Sequence, residues 1–464
     1  MYNTSIFFPL FFPEYKLWSL HFMNKKHLFL FLLIFGIKTS SQITFTLKQC
    51  VEYGLQHNRN NIIYMNEKLA ADAKAKEILA NYLPKVDISS TLNNNLKLQQ
   101  SIIPAGVFGS DEIHASLEQK YNSNAFIQLE QPVFDQAILT RLKNNKYLKE
   151  QSSLNIQQSQ ENIIYSISTA YFQILVYKQQ FEQLEFNQNN YLKLIEIYQL
   201  QVKKGTILQK DLDKIIVDSN NIIAQMRVAK SNITLAQNQL KYEMGFPLGD
   251  KIELDTPTEL QLGLFHENSQ NTFNPNSRVD YKLSELHIKI LEIEKSAIRA
   301  EMLPKLSLNF QYGAVGFGDK FSQVYSNFYP YSTIGLKLSI PILNFYKNNA
   351  QYTQADISKK NVEEKLKLAE GKIIIEYENA KTKLLQAQTN VENGLRNINL
   401  AKSVLKVTDL QLQKGVTTLT DWLNTQNSFR ETQSTYLTAL YTYYQSRIDL
   451  ELAGGTLKNF YQSY

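Results

Sequence analysis

Two stretches of this chain keep a helical period of apolar residues over an unusual length. Pro132 to Gly205 holds no internal proline or glycine, and its apolar positions step from Ile156 through Ile163, Ile167, Ala170, Ile174, Tyr177, Phe181 and Leu184. Apart from the first step of seven, the spacings alternate between three and four, a heptad pattern rather than the stripe of a globular helix. Pro341 to Gly415 is a second copy of this stretch. At about 1.5 Å per residue each helix would reach roughly 100 Å, so the chain works over a length that no compact domain contains.

Between the helical stretches the period drops from 3.6 to 2. After Pro84, Val86, Ile88, Leu92, Leu96 and Leu98 alternate with Asp87, Ser89, Thr91, Asn93, Asn95 and Lys97, which predicts a strand with one apolar and one polar face. Gln99 to Lys120 reads as a long loop. Ala125, Ile127 and Leu129 mark a second strand, with Pro132 expected to end it. The same order recurs later: Pro304, then Leu306, Leu308, Phe310 and Tyr312 against Ser307, Asn309 and Gln311, a loop, then Ile334, Leu336, Leu338 and Ile340, and Pro341. Pro84, Pro132, Pro304 and Pro341 are therefore read as the turns between helix and strand.

The repetition divides the chain. Residues 42–249 form a first repeat, 250–277 an irregular linker and 278–464 a second repeat, a tandem duplication in which the second copy's loop between strands is shorter. Each repeat pairs a long helix with shorter ones: Asp211 to Met244 and Arg278 to Leu303, and Asp421 to Leu452 with Thr46 to Leu83. Thr46 is the expected N-cap of the last of these. The lengths suggest that the two members of each pair stack end to end alongside one long helix. The second pairing joins the two ends of the sequence.

Four strands with polar residues on one side and an apolar band on the other match a transmembrane barrel with a watery lumen. Four strands cannot close, and open edges do not survive in lipid, so the barrel must be shared with copies of the same chain. Three copies give twelve strands, which is within the range of such barrels. The competing reading is a sheet packed on the helices with its polar face in water. The expected fold is thus mainly α with a small transmembrane β part: a trimeric α-barrel of long coiled-coil helices and a shared β-barrel.

Composition narrows the class further. Hydrophobic residues make up 43% of the 464, and formal charge is +6. Setting aside residues 1–41 leaves 45 basic and 42 acidic residues, near neutrality and no footprint for nucleic acid. Lys25, Lys26, the apolar run Leu28 to Ile37 and small residues up to Ser41 read as a secretory signal, with Met23 the expected start. Cys50, the one cysteine, sits on an amphipathic stretch and reads as a small core residue. Scattered histidines and the lack of any HExxH, nucleophile elbow or phosphate loop point away from an enzyme, a metal site or a cofactor.

In this order and duplication, several short motifs resemble the TolC family of outer-membrane efflux proteins. They are the opening FTLKQCVEYGLQHN (Phe45 to Asn58), the two LPK turns, the strand exits QPVF and IPIL, the tips KKGTILQKDL and QKGVTTLTDWLN, and the closing ELAGG (Glu451 to Gly455). The resemblance implies a homotrimeric channel in the outer-membrane lipid, reaching into the periplasm. It would dock a periplasmic adaptor and an inner-membrane pump and export small molecules or proteins. It further implies that Gly205, Thr206, Ile207 and Leu208, with Gly415, Val416, Thr417, Thr418 and Leu419, form the docking tips. A gate would follow at Asp421, Asn424 and Asp211, where Asn424 stands in place of the family's second acidic residue and lowers the charge of the ring. Asp211 and Asp421 have a plainer reading too, as carboxylates favoured at a helix N-terminus. A secreted coiled-coil structural or adhesive protein without a pore is the alternative of another class.

Overall fold

The computed structural model describes residues 44–107, 109–116, 118–255, 273–343 and 346–462. The signal expected over 1–41 and most of the expected linker lie outside the described residues. In chain order the main elements are helices α1 (Leu47–His57) and α2 (Arg59–Ala80), then strands β1 (Lys85–Asn94), β2 (Ser101–Ile103), β3 (Ile113–Ala115) and β4 (Tyr121–Phe134). Helices α3 (Gln136–Lys203), α4 (Gln209–Met244) and α5 (Val279–Ala300) follow, then β5 (Lys305–Gly318), β6 (Phe328–Ser339), α6 (Lys347–Gln413), α7 (Leu419–Gly454) and α8 (Leu457–Gln462). The duplication is visible in the lengths: α3 and α6 have 68 and 67 residues, and α4 and α7 have 36 each.

Strands β1, β4, β5 and β6 form one antiparallel sheet in that order. One rung reads Val86, Leu129, Phe310, Ile334 and the next Asp87, Gln128, Gln311, Thr333, so the alternation expected from the sequence is in register across all four strands. The apolar face is not covered by helices: Ile88 is 78% exposed, Ile334 71% and Leu336 68%. That rules out a sheet whose apolar face packs on its own helices. The outer strands β1 and β6 each keep one unpaired edge.

Three expectations need correction. Pro132 does not end its strand. It lies within β4 opposite Ser307, at a register shift before Phe134, a bulge being one of the few places where a sheet tolerates proline. The helix begins instead after Asp135, whose Oδ1 accepts from the amides of Ala137 (2.9 Å) and Ile138 (3.2 Å). The Asp135 carboxylate also pairs with Lys305 at 3.1 Å, tying the head of α3 to the head of β5. Second, the stretch from Phe45 to Leu83 is two helices, not one. Thr46 caps α1 in a reciprocal capping box with Gln49, but the helix stops at Asn58. Third, the half-helices exchange partners. Gly245, which closes α4, lies against His57 and Asn58, whereas Gly455, which closes α7, lies against Ser277 at the head of α5. Thus α4 continues toward α2 and α7 toward α5. The loop expected from Gln99 to Lys120 also contains the small hairpin β2–β3. The other three prolines stand at the helix–strand turns as expected, Pro84 before β1, Pro304 before β5 and Pro341 after β6.

The break between α1 and α2 and the joint of α4 with α2 rest on a single buried residue. Asn58 ends α1 and caps α2, its Oδ1 accepting from the Asn60 amide at 2.8 Å, while its Nδ2 donates to the Glu243 carbonyl at 2.6 Å. One side chain therefore satisfies orphan groups of α2 and α4 at once. Around this joint the middle of α3 is buried on nearly every side, from Ile163 to Val176, by α1, α4, α7 and α8. Phe172 stacks on Tyr444 at 4.3 Å. Cys50 is fully buried there, as expected, and burial pushes its thiol up to about 12.

Gly245 and Gly205 both adopt left-handed backbone, φ 68° and 74°. A Cβ at Gly245 would stand 2.5 Å from the His57 carbonyl oxygen, whereas one at Gly205 meets nothing within 4 Å. Gly205→Ala should cost the left-handed penalty alone, roughly 1–2 kcal/mol. Gly245→Ala should cost clearly more, read as a larger fall in thermal midpoint; equal falls would contradict the close joint.

Candidate functional site at the helix tips

Both hairpins turn in the same way. At the first, the Gly205 amide donates to Val202 O (2.9 Å) and Thr206 N to Gln201 O (3.0 Å); at the second, Gly415 N donates to Leu412 O (3.1 Å) and Val416 N to Gln411 O (2.9 Å). These are Schellman closures, which need a residue with φ > 0 at the turn. Glycine therefore terminates these helices whatever else the tips do. Gly205, Thr206, Leu208, Gly415, Val416 and Thr418 are exposed, and Ile207, Thr417 and Leu419 are partly covered.

The two returning helices start differently. Thr418 caps α7: its Oγ1 accepts from the Asp421 amide at 3.1 Å and donates to the Asp421 carboxylate at 2.5 Å. Leu208 at the head of α4 offers no such cap. Asp211 instead lies 3.6 Å from Lys214 on its own helix. Each carboxylate sits in the first turn of its helix, where the N-terminal dipole favours negative charge. Asp421 and Asn424 are both exposed, one turn apart on α7. Asp211 is partly covered on the other hairpin.

What joins the two hairpins is a residue that sequence reasoning passed over. Trp422, 5% exposed, donates its indole N–H to the Asp409 carboxylate on α6 and packs against Tyr191 of α3 at 5.5 Å between rings. The Arg430 guanidinium stands over the Tyr191 ring, 5.8 Å from its centre. Burial pushes the Tyr191 phenol up to about 12. Beyond this clamp Asn187 Nδ2 donates to Gln433 Oε1 (3.0 Å) across the two hairpins, and Gln188 Nε2 donates to Ser219 Oγ (2.9 Å) within the first. A groove of about 630 Å³ opens there, lined in part by Gln180, Asn187, Gln225, Asn232, Arg430 and Gln433. The signal was present in the sequence, since Trp422 is one of only two tryptophans and directly follows Asp421. Its partner Asp409 lies across the tip glycine, a pairing that only the hairpin reveals.

Residues 294–456 match the family model described as outer membrane efflux protein. Solved structures with the same fold include the CmeC outer membrane channel of Campylobacter jejuni, with a TM-score of 0.72, 15% identity and coverage of 96% of this chain and 94% of that one. The outer membrane protein VceC of Vibrio cholerae gives 0.69 at 14% identity, covering 88% and 96%. The MtrE outer membrane channel of Neisseria gonorrhoeae gives 0.67 at 16% identity, covering 89% of each. No curated protein matches the chain by sequence.

Trp422→Ala removes a buried aromatic anchor, expected to cost about 3–5 kcal/mol, and the loss should be local. Amide exchange should accelerate in the first turns of α7 while the α1–α3 core keeps its protection; uniform exchange across both regions would show that the indole does not clamp the hairpins.

Proposed function

We propose that this chain, whose residues 294–456 are an outer membrane efflux protein domain on the fold of outer-membrane channels, is the exit duct of a tripartite efflux or type I secretion system. The observation that carries this is the open sheet. Four strands with an exposed apolar face and two unpaired edges are stable in lipid only when copies of the chain close the ring, and three copies supply twelve strands. The polar face then lines a lumen that continues into the helical body. The duct is passive and not an enzyme. It stands in the outer membrane and extends into the periplasm.

In this reading the hairpin tips face the periplasm. The exposed residues around Gly205 and Gly415 offer a docking surface to the helical hairpins of a periplasmic adaptor, which links the duct to an inner-membrane pump. Asp421 gives the entrance its fixed negative charge, with Asn424 a neutral step one turn further and Asp211 on the neighbouring hairpin. The cargo is set by the pump, either small molecules or proteins.

Gly415→Asp should abolish efflux in cells while leaving the trimer intact on native gels, and full efflux by this variant would remove the tip from the docking surface. Asp421→Asn should weaken block by divalent cations in single-channel recording, with little change in stability since its carboxylate is exposed. Unchanged block would leave Asp421 with capping alone.

A further inference from the structure

The lumen-facing side of the sheet changes character with distance from the helices. Nearest them it is charged and polar, with Lys85, Asp87, Glu130, Asn309 and Lys337 on adjoining rungs. Toward the far end, where β5 turns into β6, one rung reads Ser89, Phe126, Gly313, Tyr331 and the next on the same face Thr91, Asn124, Val315, Tyr329. Phe317, paired with Asn122, continues that face. No charged residue occupies these rungs, and aromatic rings do.

The rings are held in place. The Tyr331 hydroxyl donates to Asn124 Oδ1 at 3.0 Å, two strands away, and accepts from Gln311 Nε2 at 3.3 Å. Its ring therefore lies across β5 at the rung of Gly313. That glycine has no room for a side chain, because a Cβ there would stand 2.6 Å from the Phe126 Cβ. Beyond it Phe317 and Tyr329 pack at 6.4 Å between centroids, inclined by 40°. Both remain about half exposed. The aromatic turn Phe321–Tyr325 is a separate feature: Phe321 packs against Tyr121 at 6.2 Å, on the outward face, where aromatic residues suit the membrane interface.

We propose that Phe126, Phe317, Tyr329 and Tyr331 form an aromatic collar at the extracellular end of the lumen that binds lipophilic organic cations in passage. This rests on reading the chain as a duct closed by copies of itself, since each copy then contributes its rings around one lumen. The face of an aromatic ring carries negative quadrupolar charge and attracts a cation that sheds its water readily. A small hydrated ion such as potassium keeps its water and gains little. Tyr331, fixed by two hydrogen bonds, forms the rigid part of the collar, and Phe317 and Tyr329 present ring surface to the solute. The duct would thus delay amphipathic organic cations at its exit while passing inorganic ions.

The test is potassium current through the full chain in planar bilayers, with tetraphenylphosphonium added on the extracellular side. Wild type should be blocked. The Phe317→Leu, Tyr329→Leu double variant, still apolar but without rings, should need roughly tenfold more blocker at nearly unchanged potassium conductance. Tyr331→Phe, which keeps the ring, should retain wild-type block. Potassium conductance with equal block in wild type and the double variant would overturn the collar and leave the duct standing. Folded trimers that conduct nothing would overturn both.

Discussion

A strand edge cannot face hydrocarbon. Each unpaired N–H or C=O there costs several kcal/mol, and β1 and β6 each carry such an edge beside an apolar face that the described helices leave exposed. The sheet is consequently a fraction of a structure, and the rest of the protein is built to complete it. Duplication places two hairpins side by side in one chain. In the proposed duct, closure with further copies would turn an unstable edge into a continuous wall.

The helical part meets a different constraint, because two struts of nearly equal length must each be faced by two shorter helices laid end to end. The joints are made by different chemistry. At the first, Asn58 binds the backbone of α4 and Gly245 brings the two chains into close contact. At the second, Gly455 lies against Ser277, and Arg278 next to it ties the head of α5 to α6, holding Asp280 at 2.7 Å and Glu376 of α6 at 3.2 Å. The apolar core is concentrated at this level, around Ile163 to Val176. Toward the tips a second apolar cluster takes over, around Leu184, Tyr191, Ile215, Ile222 and Trp422, and the two hairpins meet there through the Trp422 indole and the Asn187–Gln433 amide pair.

The periods of 2 and 3.6, three of the four turn positions and the two tip glycines were legible in the residues, because each depends on neighbours close in sequence. Thr46, Gly205 and Gly415 behave as their local chemistry requires. Pro132 was misread because a bulge depends on the partner strand, which offers Ser307 opposite it. The break at Asn58 was missed because its cause is a carbonyl at Glu243, and Trp422 because its partners are Asp409 and Tyr191 on two other helices.

The stretch from Pro132 to Gly205 shows the division most clearly. Its apolar period alone determined that most of it is one long helix ending at a glycine, since backbone hydrogen bonds and side-chain spacing within a helix are local. Which helices cover it, and that α4 continues toward α2 while α7 continues toward α5, was decided only by tertiary structure. End-to-end contacts need no covalent continuity, so chain order carries no record of them.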